Sequence, residues 1–418
     1  MNARERLLFV SPRFLFPADS GGRIRTTEVL RNLKGGRFEV TLACPRTIDA
    51  ATRCAAEVEA VCDRVSYWEG SAPGPWHGVT RMRHLLAGLP VPVATDRSPA
   101  GKRLVAAELA REPDLVVFDF PHAAVLAPDR LNTASVLFTH NVEAEIFARH
   151  IEVAANPFAR WVWRDQHRKM QAFERAALAR FDRVVAVSER DCARLEKDYG
   201  ADHVAVIPTG VNLGYFDYAD PQANRRIVFT GSMDWLANID GISFFMDDVW
   251  PAIVAAVPDA QMIVVGRAPP AELVDRARSR GLRWTFTGRV DDIRPHVRGA
   301  AAYAIPLRVG GGTRIKAFEA MAMGVPVVST AIGIEGLEVE PGRHFQLADT
   351  AQAMARELVR LITEPALGRS LARTARAHVE SKFSNATVAR VFEQICGDAL
   401  AAHRRRRPIG SVNPIGVI

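Results

Sequence analysis

PLRVGGGTRIKAFEAMAMGVPVVST, residues Pro306 to Thr330, passes from a buried strand through a glycine turn into a short apolar helix and out to another strand. Ala304 to Leu307 reads as the strand's end, Gly310 to Gly312 as the turn, and Thr313 to Met323 as a helix closed by Gly324 and Pro326. Val325 to Thr330 is the returning strand. Glycines at such a turn let backbone amides approach a ligand, and a helix N-terminus offers unpaired N–H groups and partial positive charge. An anion suits that place. Between Ile315 and Met323 the only polar side chains are Lys316 and Glu319, three apart and so on one face. A carboxylate on a largely buried helix needs donors, which two adjacent sugar hydroxyls supply. Arg314 and Lys316 suit phosphate oxygens, and Glu319 suits a ribose. The plainer reading of Lys316 and Glu319 is a solvated stripe on an ordinary amphipathic helix.

Strand-like runs alternate with helical stretches on both sides of this segment. The first set is Leu7 to Pro12, Phe38 to Pro45, Leu115 to Phe120, Ser135 to Asn141, Arg183 to Ser188 and Val204 to Pro208. The second is Ile227 to Gly231, Gln261 to Gly266, Trp284 to Gly288, Ala302 to Leu307 and Pro326 to Thr330. Such alternation predicts α/β architecture with two parallel, doubly wound, Rossmann-like domains. The linker is expected near Pro208 to Arg226, where Pro, Gly, Asn and Asp crowd together. In these sheets ligands bind beyond the carboxyl ends of strands. Several candidates fall there: Gly21 and Gly22 opening a helix after the first strand, His140 closing the run Val136-Leu137-Phe138, and Gly231 and Ser232 after the first strand of the second domain. Asp234 and Asn238 read as helix caps. A lone histidine at a strand end is also a common structural hydrogen-bonder.

The segment GGGTRIKAFEAMAMGVPVVST resembles the donor-site signature of retaining glycosyltransferases of family 4. Val228 to Ile253 (VFTGSMDWLANIDGISFFMDDVWPAI) resembles the opening of that family's C-terminal domain, VVAVSERD and VIPTGVNLGYF the end of its N-terminal domain, and FTHNVEAE the segment holding its active-site histidine. The matches run from about Ser11 to Phe383 in family order, and are similar to sugar transferases of exopolysaccharide and exosortase-associated systems. The resemblance implies the GT-B fold, two Rossmann-like domains facing across a cleft: residues 1–215 on the acceptor side, 216–383 binding the donor, a helix over 384–403 crossing back to the first domain, and a mobile basic tail over 404–418. It places His140 near the reacting anomeric centre, and Arg314, Lys316 and Glu319 on the donor. Gly21, Gly22, Gly231, Ser232, Gly311, Gly312 and Thr313 then meet the diphosphate or sugar, and Arg289 and Val290 the base. Many members carry a pair of glutamates here. Glu319 matches the second, while the first falls on Gly311, so the backbone of Gly311 and Gly312 is left to face the sugar.

The chain has 418 residues, 48% hydrophobic and 24% charged, with a net charge of +7. That is ample for two domains and ordinary for a globular protein. Five cysteines without zinc-like spacing point to a reducing cytoplasm. No apolar run reaches the ~18 residues of a membrane span, and MNARERLLFVSPRF is too brief in its apolar part for a signal peptide. Arg404 to Arg407 read as a solvated tail, with contact to anionic lipid as the other reading. Trp161, Trp163, Arg164, His167, Arg168 and Lys169, beside Arg149 and Arg160, form a basic aromatic patch. It either packs on the domain or rests at the inner membrane surface. No Asp-x-Asp occurs, so no metal and no cofactor is expected, charge on the leaving diphosphate being met by helix amides, Arg314 and Lys316. The expected partners are a nucleotide-sugar donor, a uridine nucleotide first and guanosine next, and a glycan or lipid-linked glycan acceptor, with no nucleic acid. A nucleotide-sugar epimerase and a non-catalytic nucleotide-sugar-binding protein stay open as alternatives. No strand is followed by the glycine fingerprint and acidic residue of a dinucleotide-binding dehydrogenase.

Overall fold

Leu7-Leu8-Phe9-Val10 and Val116-Val117-Phe118 place apolar side chains at consecutive positions, which only a strand covered on both faces buries. The computed structural model describes residues 4–18, 20–46, 52–70, 84–85, 88–152, 156–309 and 314–406. They divide into two compact units, one of residues 1–208 with 388–418, the other of 209–387.

In the first unit the strands are β1 (Glu5–Val10), β2 (Phe38–Arg46), β3 (Arg64–Glu69), β4 (Leu115–Asp119), β5 (Ala134–Phe138), β6 (Arg183–Ala186) and β7 (Val204–Val206). They pair in parallel in the order β3-β2-β1-β4-β5-β6-β7. Leu7 and Phe9 enter the core on one face, and Leu8 and Val10 that on the other. The helices that matter here are α1 (Gly21–Leu33), α2 (Glu143–Glu152) and α3 (Pro157–Leu178).

The second unit holds β8 (Arg226–Thr230), β9 (Gln261–Val265), β10 (Trp284–Phe286), β11 (Ala302–Ile305), β12 (Val327–Ser329) and β13 (Gln346–Leu347). All are parallel, in the order β10-β9-β8-β11-β12-β13. After β8 comes α4 (Leu236–Phe244), and after β11 comes α5 (Ile315–Ala322), shorter than the predicted Thr313 to Met323. Ala317, Phe318, Ala320, Met321 and Ala322 of α5 are buried, with Phe318 stacked on Phe383 at 4.3 Å. Both units are thus Rossmann-like α/β sheets.

The last helix, α6 (Asn385–Arg406), lays Val388, Phe392, Cys396, Ala399 and Leu400 into the first unit's core, with Phe392 5.2 Å from Phe138. Its end corrects the expectation of a tail from residue 404. Arg404 and Arg406 finish the helix, held by Glu5 at 3.1 Å and Asp182 at 3.2 Å, where cations complement the helix dipole. Residues 407–418 lie outside the described ones. Two edge strands, β3 and β13, had no counterpart in the sequence expectation. Edge positions carry polar residues such as Arg64, Ser66 and Gln346, which blunts the apolar signal and discourages further pairing. Among the described residues no helix is long and apolar enough to cross a membrane.

Candidate active site

Each sheet reverses its strand order once, at β1/β4 in the first unit and at β8/β11 in the second. The helices after those strands diverge to opposite faces there and leave a crevice at the carboxyl edge. Polar and glycine residues gather at both crevices.

In the second unit β8 ends at Thr230, and Gly231 follows, its N–H donating to Val265 O at 2.9 Å. A Cβ at Gly231 would stand 2.8 Å from Lys316 Nζ, 2.8 Å from Asn238 Nδ2 and 3.0 Å from the Phe229 ring. Only glycine leaves room for the lysine. Lys316 Nζ donates to Asn238 Oδ1 at 3.2 Å and sits 4.2 Å from the Phe229 ring centroid, an ammonium tethered on one side and floored by a π face on another. Asn238 was expected to cap its helix. It instead lies inside α4, buried, and its Nδ2 donates to Ser232 O at 2.7 Å, so one amide joins the Gly231–Ser232 turn to Lys316. Asp234 does not cap either: it accepts from Ser232 Oγ at 2.6 Å. Arg267 Nε also donates to that hydroxyl, at 2.7 Å.

Glu319 follows Lys316 by one helical step on the same face, and no described residue donates a hydrogen bond to its carboxylate. Both keep part of their surface open, yet the protein mass around them strips hydration. Burial lowers Lys316 to about 7, aided by the nearby Arg314 cation and opposed by Glu319. Burial raises Glu319 to about 7 against the pull of Lys316. Two groups held near neutrality without a direct bond between them are poised for a ligand that brings an anion to one and hydroxyls to the other. Arg314, buried at the entry of α5, donates from Nε to Ile332 O at 3.1 Å. Arg289 is exposed beyond β10, an edge strand separated from β8 by β9, while Val290 packs against the core. Gly311, Gly312 and Thr313 lie outside the described residues. Gly231→Ala is expected to keep the fold and weaken nucleotide binding about tenfold, ~1.4 kcal/mol, because the methyl displaces Lys316. Calorimetry against UDP checks it, and an unchanged affinity would separate Gly231 from the site.

In the first unit the crevice is built around a buried carboxylate that sequence reasoning passed over. Asp119, the last residue of β4, accepts from His140 Nε2 at 2.7 Å, from Thr26 Oγ1 at 3.1 Å and from Ser11 Oγ at 3.3 Å. Arg25 Nη1 lies 3.3 Å from His140 Nδ1. A guanidinium only donates, so Nδ1 is the acceptor, and the imidazole is neutral with its proton on Nε2. Desolvation lowers the His140 pKa, with Asp119 opposing, in keeping with that neutral form. His140 is 2% exposed and both its nitrogens have protein partners. Its ring stacks on Phe120 at 4.0 Å, and Phe120 has φ +66°, a left-handed conformation uncommon outside glycine. Gly22 is required here: a Cβ would fall 2.5 Å from the Phe120 ring. Gly21 and Gly22 open α1, whose N-cap residue Ser20 makes no side-chain cap bond. Asp119 ends an apolar run, as His140 does, and the same reasoning applied to the run Leu115 to Phe118 finds it.

Two family models match the chain, one described as Glycosyltransferase Family 4 over residues 20–215 and one as Glycosyl transferases group 1 over residues 224–364. A phosphatidyl-myo-inositol mannosyltransferase of Mycolicibacterium smegmatis is 28% identical over 210 residues, 47% of this chain. That match spans about half of the relative's length, 53%. An uncharacterized 44.6 kDa protein in the cps region of Klebsiella pneumoniae is 22% identical over 85% of this chain and 90% of its own. Among solved structures, Anabaena HepE in complex with UDP and glucose shares the fold at a TM-score of 0.62 and 16% identity, covering 94% of this chain and 100% of that one. With both sheets in Rossmann-like order and a family model lying on each, the chain belongs to the glycosyltransferases of the family-4 type, with the GT-B fold.

Proposed function

We propose that this glycosyltransferase moves a hexosyl unit from a nucleoside diphosphate sugar, a UDP-sugar first among them, to a glycan or lipid-linked glycan acceptor with retention of anomeric configuration. The observation that carries the reading is the cluster of Gly231, Asn238, Lys316 and Glu319 at the crossover point of the second sheet. In the reaction the bond from the anomeric carbon to the diphosphate breaks, its electron pair leaving with the phosphate. The Lys316 ammonium and the N-terminal dipole of α5 meet that charge as it grows. The acceptor hydroxyl forms the new bond from the same face and passes its proton to the departing phosphate. Glu319 holds the ribose hydroxyls. No metal or cofactor has a part in this course. The UDP-bound HepE neighbour supports uridine, and the cps-region relative supports a place in exopolysaccharide synthesis.

A thermal-shift panel of UDP, GDP and ADP and their sugars tests the donor, since a site-specific ligand raises stability by mass action. UDP and one UDP-sugar are expected to give the largest shifts. The proton balance is also expected to change sign across neutrality. Above pH 7 the bound diphosphate restores the charge on Lys316, and binding takes up about one proton; below pH 7 the ribose favours ionised Glu319, and binding releases about one. Calorimetry in buffers of different ionisation heat reads this, and proton-neutral binding at both pH values would remove Lys316 and Glu319 from the donor site. UDP binding without transfer or donor hydrolysis would make the protein a nucleotide-sugar-binding module.

A further inference from the structure

Next to the end of β5 the first unit forms a half-open cavity of about 820 Å³, bordered by α2, α3 and the short helix Val91–Asp96. Its apolar wall includes Val91, Pro92, Ile146, Phe147, Val162 and Trp163. The volume falls within the ~300–1,000 Å³ usual for small-molecule sites. A sugar alone would leave such walls in contact with water or hydroxyls. An occupant with a hydrocarbon body suits them.

The other end of the cavity is polar. Asn141, the residue after His140, lines it with His122 and Glu143. His122 is buried, and its Nδ1 stands 3.3 Å from Asp96 Oδ2. Its Nε2, aimed at Glu143 Oε2 from 3.7 Å, has no hydrogen-bond partner among the described residues. A buried ring nitrogen left without a bond is costly, and a polar ligand atom in the cavity beside this pair, within reach of His122 and Glu143 together, would satisfy it.

The first turns of α3 indicate where such a ligand comes from. Trp163 faces inward, half-buried and stacked on His150 at 4.4 Å. One turn earlier Phe158 and Trp161 are 73% and 65% exposed, their rings 6.2 Å apart, flanked by exposed Arg160 and Arg164. Two solvent-facing aromatics among arginines match the composition of a membrane-interface segment. The patch read from the sequence therefore divides: Trp163 lines the cavity, Lys169 folds back onto Asp165 and Leu85 O, and Phe158, Trp161 and the arginines face outward.

We propose that this cavity binds the hydrocarbon segment of an amphiphilic acceptor, a membrane lipid carrying a polar head, with that head at His122 and Glu143. Calling the occupant an acceptor rests on the transferase reading; its binding is read without any donor. Calorimetry with octyl glucoside below its micellar range, and with glucose as the control, tests it on the full chain, a neutral hydroxyl head being able to donate to Glu143 where an anionic one would be repelled. Wild type is expected to bind octyl glucoside at one saturable site and glucose at least tenfold more weakly. Ile146→Asp, at a position 38% exposed and so tolerant of charge, and Val162→Trp, which fills the space, are each expected to weaken octyl glucoside at least tenfold. Unfolding temperature and UDP affinity report whether each variant is folded. Absence of saturable binding, equal binding of glucose, or unchanged affinity in a folded variant overturns the assignment. Nucleotide binding without octyl glucoside binding sinks the cavity and keeps the donor site, whereas octyl glucoside binding without binding of UDP, GDP or ADP keeps the cavity and sinks the donor-site reading.

Discussion

Lys316→Ala and Glu319→Ala are each expected to lower nucleotide-sugar turnover at least tenfold, ~1.4 kcal/mol or more. Lys316 is the ammonium that Asn238 and the Phe229 ring hold against the Gly231 backbone. Its removal takes away the charge that meets the diphosphate and the cation that offsets the burial of Glu319. Lys316→Arg is not expected to rescue, because a planar fork does not fit a space that even one added methyl at Gly231 would close. Glu319→Gln keeps the shape of the side chain and removes its charge, so it separates packing from ribose recognition. Turnover and KM measured with the donor identified by the thermal-shift panel read these effects. Wild-type kinetics in both alanine variants would remove the second crevice from the reaction.

Asp119→Ala is expected to destabilise the first unit by about 3–5 kcal/mol, the usual loss when one partner of a buried charged network is removed. The carboxylate is fully buried and satisfies His140, Thr26 and Ser11 together. Without it, a histidine proton and two hydroxyls are left in the interior beside the Arg25 guanidinium. Urea unfolding reads the effect as a lower midpoint, and a shift under 1 kcal/mol would mean that the network contributes little. Asp119→Asn preserves the acceptor for His140 Nε2 and is expected to recover most of the stability. It removes the negative charge opposite Arg25 and His140, and turnover is expected to stay at least tenfold below wild type. If the asparagine variant matches wild type in turnover, Asp119 serves folding alone.

Most strands were legible because a parallel sheet covered on both faces demands unbroken apolar runs, as in Leu115 to Phe118 and Val136 to Phe138. The edge strands β3 and β13 were not, since Arg64, Ser66 and Gln346 interrupt that pattern. Lys316 and Glu319 were legible as one face because their relation is local and helical. From the sequence Asn238 reads as a cap, because a polar residue near a helix start usually is one. Nothing local reveals that its partner is Lys316, 78 residues on.

Strand and helix order, the two-domain plan and the pairing of a cation with a carboxylate on one helix are written in short-range periodicity, and a reader of the chain finds them without coordinates. The assembly of Asp119 with Thr26, 93 residues earlier, and with His140, and the insertion of Lys316 beside Gly231, depend on which strand lies next to which. Crossover of the strand order at β1/β4 and β8/β11 made those neighbours. Burial at these crossovers, a property of the folded mass rather than of any residue type, then lowers the proton affinity of Lys316 and His140 and raises that of Glu319.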